Sequence, residues 1–279
     1  MARFSLHKSP PPNIVLLTDF GFRDSYVGVM KGVIRNISRD ADIIDLSHNV
    51  VPQDVAEAAF VLAASYRYFP AQSIFTCVVD PGVGTNRDIL CMVTNEQVFL
   101  APDNGLLSVI ADECGRGEVR RVRNDDYFLA DPSSTFHGPD IFAPVAAHLA
   151  AGVEPAQLGP AARHIQQLKL PKPVRAADGS LRGQIIYIDQ FGNLITNIRG
   201  STIQRSFDVP KDDLEVSVKR RHMKGLANSY ADRPEGELLA LIGSSGYLEV
   251  AVNQSSAARL LGCEKGDSVT LNAGSSGGA

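Results

Sequence analysis

Three apolar, β-branched runs in the first hundred residues each lead into an aspartate: Ile14 to Leu17 before Asp19, Ile74 to Val79 before Asp80, and Val98 to Leu100 before Asp103. Runs of this kind read as strands buried on both faces, which requires a sheet covered by helices. Between them the apolar period changes. Ser25 offers an N-cap to a segment in which Val27, Met30, Val33, Ile34 and Ile37 recur at helical spacing, and Asp54 does the same for an alanine-rich stretch from Val55 to about Tyr66. Ile43 to Leu46 and Ile89 to Thr94 add strands, and Gly138-Pro139 opens a helix running to about Ala151, with Gly152 past its end. The alternation predicts an α/β class: a largely parallel-sheet α/β sandwich domain over residues 14–169. Ligands of such sheets bind outside the carboxyl ends of the strands, so the three acids are expected to face one polar pocket.

The pattern changes near Leu170. Pro171-Lys172-Pro173 and Ala177-Asp178-Gly179-Ser180 predict a linker over 170–181. Beyond it, strand signals dominate. Gly183 to Ile188 and Leu194 to Ile198 flank the turn Gln190-Phe191-Gly192-Asn193, and Leu238 to Ile242 and Tyr247 to Val252 flank Gly243-Ser244-Ser245-Gly246. Asp267 to Leu271 reads as a last strand. Residues 182–272 are therefore expected to form a smaller C-terminal β-barrel-like domain or sandwich. The polar, proline-rich segment 1–13 and the Gly/Ser tail 273–279 are expected to be disordered.

A chain of 279 residues with 44% apolar side chains can bury two sizeable cores. Its net charge of −4, with no basic cluster beyond Lys219-Arg220-Arg221-His222, argues against a nucleic-acid or anionic-membrane surface. The N-terminus lacks an apolar signal core, no run approaches the length of a membrane span, and the four cysteines form no CxxC pair. The expectation is a cytoplasmic protein with reduced, buried thiols.

Several motif matches fail on context. Asp19-Phe20-Gly21 spells a kinase triplet without the accompanying lysine strand or catalytic loop, and Gly82-Val83-Gly84 is followed by no phosphate-binding lysine. Neither HExxH nor paired-cysteine zinc spacing occurs, so no metal is expected. Asp80, Arg87 and His137 remain. Arg87 lies across a glycine-rich turn from Asp80 and can fold back on it. His137 sits at the mouth of a helix whose dipole disfavours imidazolium, which keeps it neutral and able to accept a proton. A carboxylate, a permanent cation and a neutral imidazole could polarise one water. Plainer roles fit the same residues: Asp80 as a turn cap, Arg87 as a surface side chain, His137 as a helix cap.

Six blocks, in order, carry a resemblance: LLTDFGFRDSYVG (16–28), VVDPGVGTNR (78–87), APDNGLLS (101–108), FHGPDIFAPVAAHLA (136–150), IDQFGNLITNI (188–198) and SSGYLEVAVNQ (244–254). Together they resemble the S-adenosyl-L-methionine (SAM) hydroxide adenosyltransferases, adenosine-forming hydrolases similar to the fluorinases and chlorinases. The resemblance implies a SAM site between the α/β domain and the β domain of a neighbouring subunit in a homotrimer. It implies that Asp80, Arg87 and His137 activate water, and that Asp19 grips the ribose hydroxyls. Ser25 and Asp189 would meet the methionine ammonium, with Ser244 and Ser245 on its carboxylate. Asn193 would read the adenine edge, helped by the backbone around Asn253 and Gln254. The implied reaction yields adenosine and L-methionine from SAM without a cofactor. The halogenating relatives lack the Asp-Arg-His set, carry an extra loop and have an arginine where Ser245 stands. A SAM-dependent halogenase, or a non-catalytic SAM or adenosine sensor, is the alternative.

Overall fold

The computed structural model describes residues 12–115 and 117–274, which fall into two compact units dividing between Leu168 and Lys169. Of the segments expected to be disordered, residues 1–11 and 275–279 lie outside the described residues. Asn13 accepts a backbone hydrogen bond from Ile74, and Ala273 closes the last strand.

The first unit is built on a sheet of β1 (Ile14–Thr18), β2 (Ile43–Ser47), β3 (Ile74–Val78), β4 (Ile89–Val93), β5 (Val98–Pro102) and β6 (Glu118–Arg121), in the order β2-β1-β3-β5-β4-β6. The first three ladders are parallel, and β4 pairs antiparallel with both β5 and β6. The sheet thus has the parallel core expected from the buried runs and finishes on an antiparallel edge. Every residue of β1 and β3 is buried because successive side chains enter different cores. Ile14 and Leu16 join Met30 and Ile34 of α1 (Tyr26–Ile37) on one face. Val15 and Leu17 join Ala58 and Leu62 of α2 (Val55–Ser65) and Ile110 of α3 (Ser108–Cys114) on the other. Phe75 and Phe99 stack at 5.1 Å within that second core.

Asp54 caps α2, its carboxylate accepting from the Glu57 N–H at 2.9 Å. The Gly138-Pro139 helix begins with one π-type turn, Gly138–Phe142, before α4 (Ala143–Ala150). The wider turn accommodates Pro144, which has no N–H to donate. Cys77 and Cys91 are buried, and burial raises both thiols, Cys91 to about 12, which leaves them unreactive. No described helix is long and apolar enough to cross a membrane.

The second unit is one antiparallel sheet coiled into a nearly closed barrel. Its strands are β7 (Val174–Arg175), β8 (Leu181–Ile188), β9 (Leu194–Arg199), β10 (Leu214–Val218), β11 (Arg221–Lys224), β12 (Leu238–Ile242), β13 (Tyr247–Val252) and β14 (Ser268–Ala273). They run in the order β11-β10-β14-β8-β9-β13-β12, and β7 pairs with β8. The stretch expected as a linker thus contains a strand, folded back through a turn at Ala176–Gly179. Ala227, just past β11, meets β12 through its N–H to the Ala240 carbonyl at 2.8 Å, which brings the two free edges together. Closure leaves few unpaired strand edges. Alternate residues, among them Val216, Val218, Leu248, Val250, Val269 and Leu271, fill the interior. Two short helices, α5 (Gly200–Ser206) and α6 (Ala257–Leu261), accompany the barrel.

Gly183 in β8 is required by packing. A Cβ there would fall on the Asn197 amide oxygen and 2.6 Å from Ile198 Cγ1. That amide oxygen accepts the Gln184 N–H at 2.9 Å while its nitrogen donates to the Pro171 carbonyl. Gly183→Ala is expected to lower unfolding stability by about 1–3 kcal/mol, the usual cost of overpacking. Urea denaturation would check this, and an unchanged midpoint would refute the packing argument.

Candidate active site

Asp80 follows β3 by two residues, and Asp19 follows β1 directly. The two strands are parallel neighbours, with Thr18 opposite Val78, so both acids emerge at one edge of the sheet. The chain after Asp80 turns back tightly. Asp80 Oδ1 accepts the Gly82 N–H at 3.2 Å, and Thr85 Oγ1 donates to the Gly82 carbonyl at 2.7 Å. Gly84 has φ +77, and its Cα lies so close to the Ser134 carbonyl that a side chain would clash with it. The turn therefore rests on the segment leading to His137, and only glycine fits there.

This fold-back delivers Arg87 onto Asp80. Arg87 Nε donates to both carboxylate oxygens, at 2.8 and 3.1 Å, and Nη2 donates to Oδ2. The two side chains are only 5% (Asp80) and 11% (Arg87) exposed, so the pair is largely withdrawn from water. Arg87 Nη2 also donates to His137 Nδ1 at 2.8 Å. A guanidinium cannot accept a hydrogen bond, so Nδ1 carries no proton and the neutral ring holds its proton on Nε2. The His137 pKa is lowered, first by burial and then by the Arg87 charge, against smaller opposing effects of Asp80, Asp140 and the Ser133 backbone. The expected neutral histidine is present. Burial and the neighbouring cation both favour the neutral ring.

Three segments meet through an aromatic cluster that sequence reasoning did not foresee. Phe20, Tyr26 and Phe136 contact one another with centroid separations of 5.9, 5.7 and 4.6 Å. Each is the chain neighbour of an expected site residue: Asp19, Ser25 and His137. Asp19 is half-buried, and its Oδ2 accepts the Gln53 N–H at 2.7 Å. Ser25 is exposed at the N-cap of α1 and makes no capping bond with its side chain. Asp103, expected to face the same pocket, turns elsewhere. Its carboxylate accepts the Gln166 N–H at 2.7 Å and is pushed up by burial, with the Asp88 charge adding to the rise. Its neighbour Asn104 matters more to the site: the Asn104 amide donates to the Val79 carbonyl at 2.9 Å and so holds the backbone just before Asp80.

In the barrel unit, Asp189 and Asn193 bracket the β8–β9 turn. Asp189 Oδ1 accepts the N–H groups of Phe191 and Asn193, and Oδ2 accepts the Asn193 amide nitrogen, all at 2.9 Å. The turn-forming role of Asp189 is therefore real. It leaves lone pairs on Oδ2 for a further donor and points the function of Asn193 to its amide oxygen. Ser244 and Ser245 occupy the β12–β13 turn, closed by the Gly246 N–H on the Gly243 carbonyl. Asn253 pairs its N–H with Glu237 and its C=O with Gly236, and Gln254 adopts a left-handed φ of 57. Beneath the Ser244-Ser245 turn lies Glu249, 6% exposed and absent from the sequence reading. It accepts the Tyr230 hydroxyl at 2.7 Å, and its carboxyl is pushed up by burial, with Asp189 adding to the rise against that hydrogen bond. Among the described residues, no group of three or more His, Cys, Asp or Glu side chains is arranged to hold a metal ion.

The first unit thus carries a buried Asp–Arg–His chain at the strand ends of an α/β sheet, and the second is a nearly closed barrel with polar turns. The chain belongs to the SAM hydroxide adenosyltransferase family: the family's N-terminal domain matches residues 14–159 and its C-terminal domain residues 183–270. It is 38% identical to an (R)-S-adenosyl-L-methionine hydrolase of Salinispora tropica, over 95% of this chain and 100% of that protein. An (R)-S-adenosyl-L-methionine hydrolase of Thermus thermophilus is 35% identical over 92% of this chain and 98% of its own length. A fluorinase of an Actinoplanes species is 28% identical over 93% of this chain and 97% of its own. A crystal structure of an uncharacterized conserved protein from Thermotoga maritima superposes with a TM-score of 0.87 at 41% identity, over 92% of this chain and 99% of that one.

The Arg87 charge should be visible in the titration of His137. By NMR, the imidazole of the unmodified protein is expected to titrate below the ordinary value of 6.5. In Arg87→Met the midpoint should rise, since a repelling cation is gone while burial persists. A midpoint that stays put would show that Arg87 does not act on the ring.

Proposed function

We propose that this protein hydrolyses SAM to adenosine and L-methionine by in-line attack of activated water on the ribose C5′. The observation that carries the reading is the chain Asp80–Arg87–His137, in which one imidazole nitrogen is bare and faces a guanidinium. A water that inserts between Arg87 Nη2 and His137 Nδ1 replaces their hydrogen bond, accepts from Nη2 and gives a proton to Nδ1. The remaining hydroxide is stabilised by the guanidinium, whose own charge Asp80 balances and whose fork Asp80 orients. Arg87 stays charged throughout, so the base is His137. Its lowered pKa keeps it neutral at pH 7, and the acid limb of kcat/KM lies below pH 6.5.

The electrophile needs no metal or organic cofactor in this scheme. The carbon–sulfur bond of a sulfonium breaks to release a neutral thioether, so hydroxide and sulfonium cancel their charges as the new C–O bond forms. Removal from water favours such a neutralisation. Asp19 accepts from the two ribose hydroxyls, a pairing that suits a carboxylate and a cis-diol. Ser25 and the open lone pairs of Asp189 receive the methionine ammonium, and Ser244 and Ser245 with their turn N–H groups receive its carboxylate. The Asn193 amide oxygen accepts from the adenine amino group, with the backbone at Gln254 beside it and Asn253 bracing that segment. Barrel residues of one subunit serve the sheet residues of its neighbour in a homotrimer. The relatives named as hydrolases over nearly the whole chain support the substrate, and the buried free thiols suit a reducing cytoplasm.

Incubation with SAM should yield adenosine and methionine in equal amounts, with oxygen-18 from labelled water at the 5′ position. A 5′-halonucleoside formed on adding chloride or fluoride would instead make it a halogenase. Bound SAM with no product would make it a sensor. His137→Ala is expected to lower kcat on the order of 10²- to 10⁴-fold with little change in KM, as loss of a general base does. Asp19→Ala should do the converse, raising KM about 10- to 100-fold through lost hydrogen bonds to a charged acceptor. Steady-state kinetics separates the two, and swapped effects would refute the roles.

A further inference from the structure

Behind Asp19 runs a buried polar chain that the reaction scheme does not use. Thr18 and His48 are both completely buried, thirty residues apart in sequence, on the strand ends of β1 and β2. Thr18 Oγ1 and His48 Nδ1 are 2.8 Å apart, and His48 Nε2 and Asp45 Oδ1 are 3.0 Å apart. Asp45 Oδ2 is paired with Lys31 Nζ of α1 at 2.7 Å. The carboxyl of Asp45 is held below its ordinary range by its hydrogen bonds to Lys31 and His48, which outweigh its desolvation.

These contacts run in one direction. An ionised carboxylate only accepts, so His48 Nε2 donates to Asp45, and in the neutral ring Nδ1 is bare and accepts from Thr18. The threonine hydroxyl must then donate to Nδ1, which turns its lone pairs towards the Phe20 N–H, 3.2 Å away. The chain of donation reads Phe20 N–H to Thr18 O–H to His48 to Asp45. Its free end is the backbone on the far side of Asp19. Two further bonds join the same loops: the Gly21 N–H on the His48 carbonyl, and the Gln53 N–H on Asp19 Oδ2, both at 2.7 Å. Gln53 takes a left-handed φ of 66 to make the second. The Phe22 ring meets the His48 ring edge-on at 5.0 Å.

We infer that Thr18, His48 and Asp45 form a positioning relay that fixes the loop after β1, and through it the direction in which Asp19 presents its carboxylate to the ribose. Each end of the Asp19 peptide is tied to the β2 loop, one side through Thr18 and His48, the other through Gly21. The acid's own Oδ2 is tied to Gln53, which leaves Oδ1 and one lone pair of Oδ2 for the ribose hydroxyls. The relay acts on binding rather than on the chemical step, because the ribose hydroxyls are gripped alike before and during attack on C5′. The inference rests on the role of Asp19 proposed above.

The test is steady-state kinetics with SAM on the full chain. Thr18→Val keeps the side chain's shape and removes the hydroxyl. It is expected to raise KM about fivefold, the worth of one ordinary hydrogen bond, with kcat within about twofold. Thr18→Ser restores the hydroxyl and should restore KM. In an Asp19→Ala background Thr18→Val should raise KM no further, since residues acting through one group are not additive. Asp45→Asn, at a side chain one-third exposed, should raise KM in the same sense. It decides the matter should Thr18→Val fail to fold by thermal denaturation. Unchanged KM in these variants, or additive effects with Asp19→Ala, would overturn the relay while leaving SAM hydrolysis standing. An unmodified protein that made no adenosine would instead overturn the functional reading itself.

Discussion

Arg87 is the hinge of the site's electrostatics because it can only donate. With its Nε and Nη2 on Asp80 and the same Nη2 on His137, one guanidinium ties the carboxylate and the imidazole into a single chain. Facing a group that only donates, the imidazole must leave Nδ1 bare. A Lys at this position would supply the charge but not the planar fork that reaches two partners. Everything needed to bring Arg87 there is local to one turn: the Asp80 carboxylate on the Gly82 N–H, the Thr85 hydroxyl, and Gly84 against the Ser134 carbonyl. Removing the arginine would leave a carboxylate withdrawn from water with no cation, a costly state.

The same economy governs the other polar groups. Asp19, Asp189 and Asn193 are each engaged with their own loops before any substrate arrives. Such bonds hold the remaining lone pairs in fixed directions. The aromatic cluster of Phe20, Tyr26 and Phe136 does the apolar half of this work, anchoring three otherwise separate segments next to their functional neighbours.

Much of this was legible along the chain. The strand runs and helical faces carry periods of two and 3.6, which survive in any sequence that buries one side of an element. The hairpins at 189–193 and 243–246 were legible because tight turns demand glycine and small polar residues. The pairing of Asp80 with Arg87 was suggested by a separation of seven positions across a turn with two glycines. Asp103 shows the limit. It follows a strand as Asp19 and Asp80 do, yet Gln166, sixty-three residues away, takes its carboxylate. Its neighbour Asn104, which the sequence did not single out, braces Val79. Glu249, a lone acid in the apolar run of β13, and His48, in the polar Ser47-His48-Asn49 turn, left no signal of their partners.

By itself the sequence determined which segments are strands and helices, that the pattern changes near Leu170, and which residue types could activate a water. Those are properties of local period and of side-chain chemistry. Tertiary structure alone decided that β2 and β1 lie side by side, so that Thr18 meets His48, and that the segment before α4 crosses the Asp80 turn, so that His137 meets Arg87. Hydrogen bonds between residues thirty and fifty positions apart depend on strand order and loop path. Neither is written in the spacing of the residues that make them.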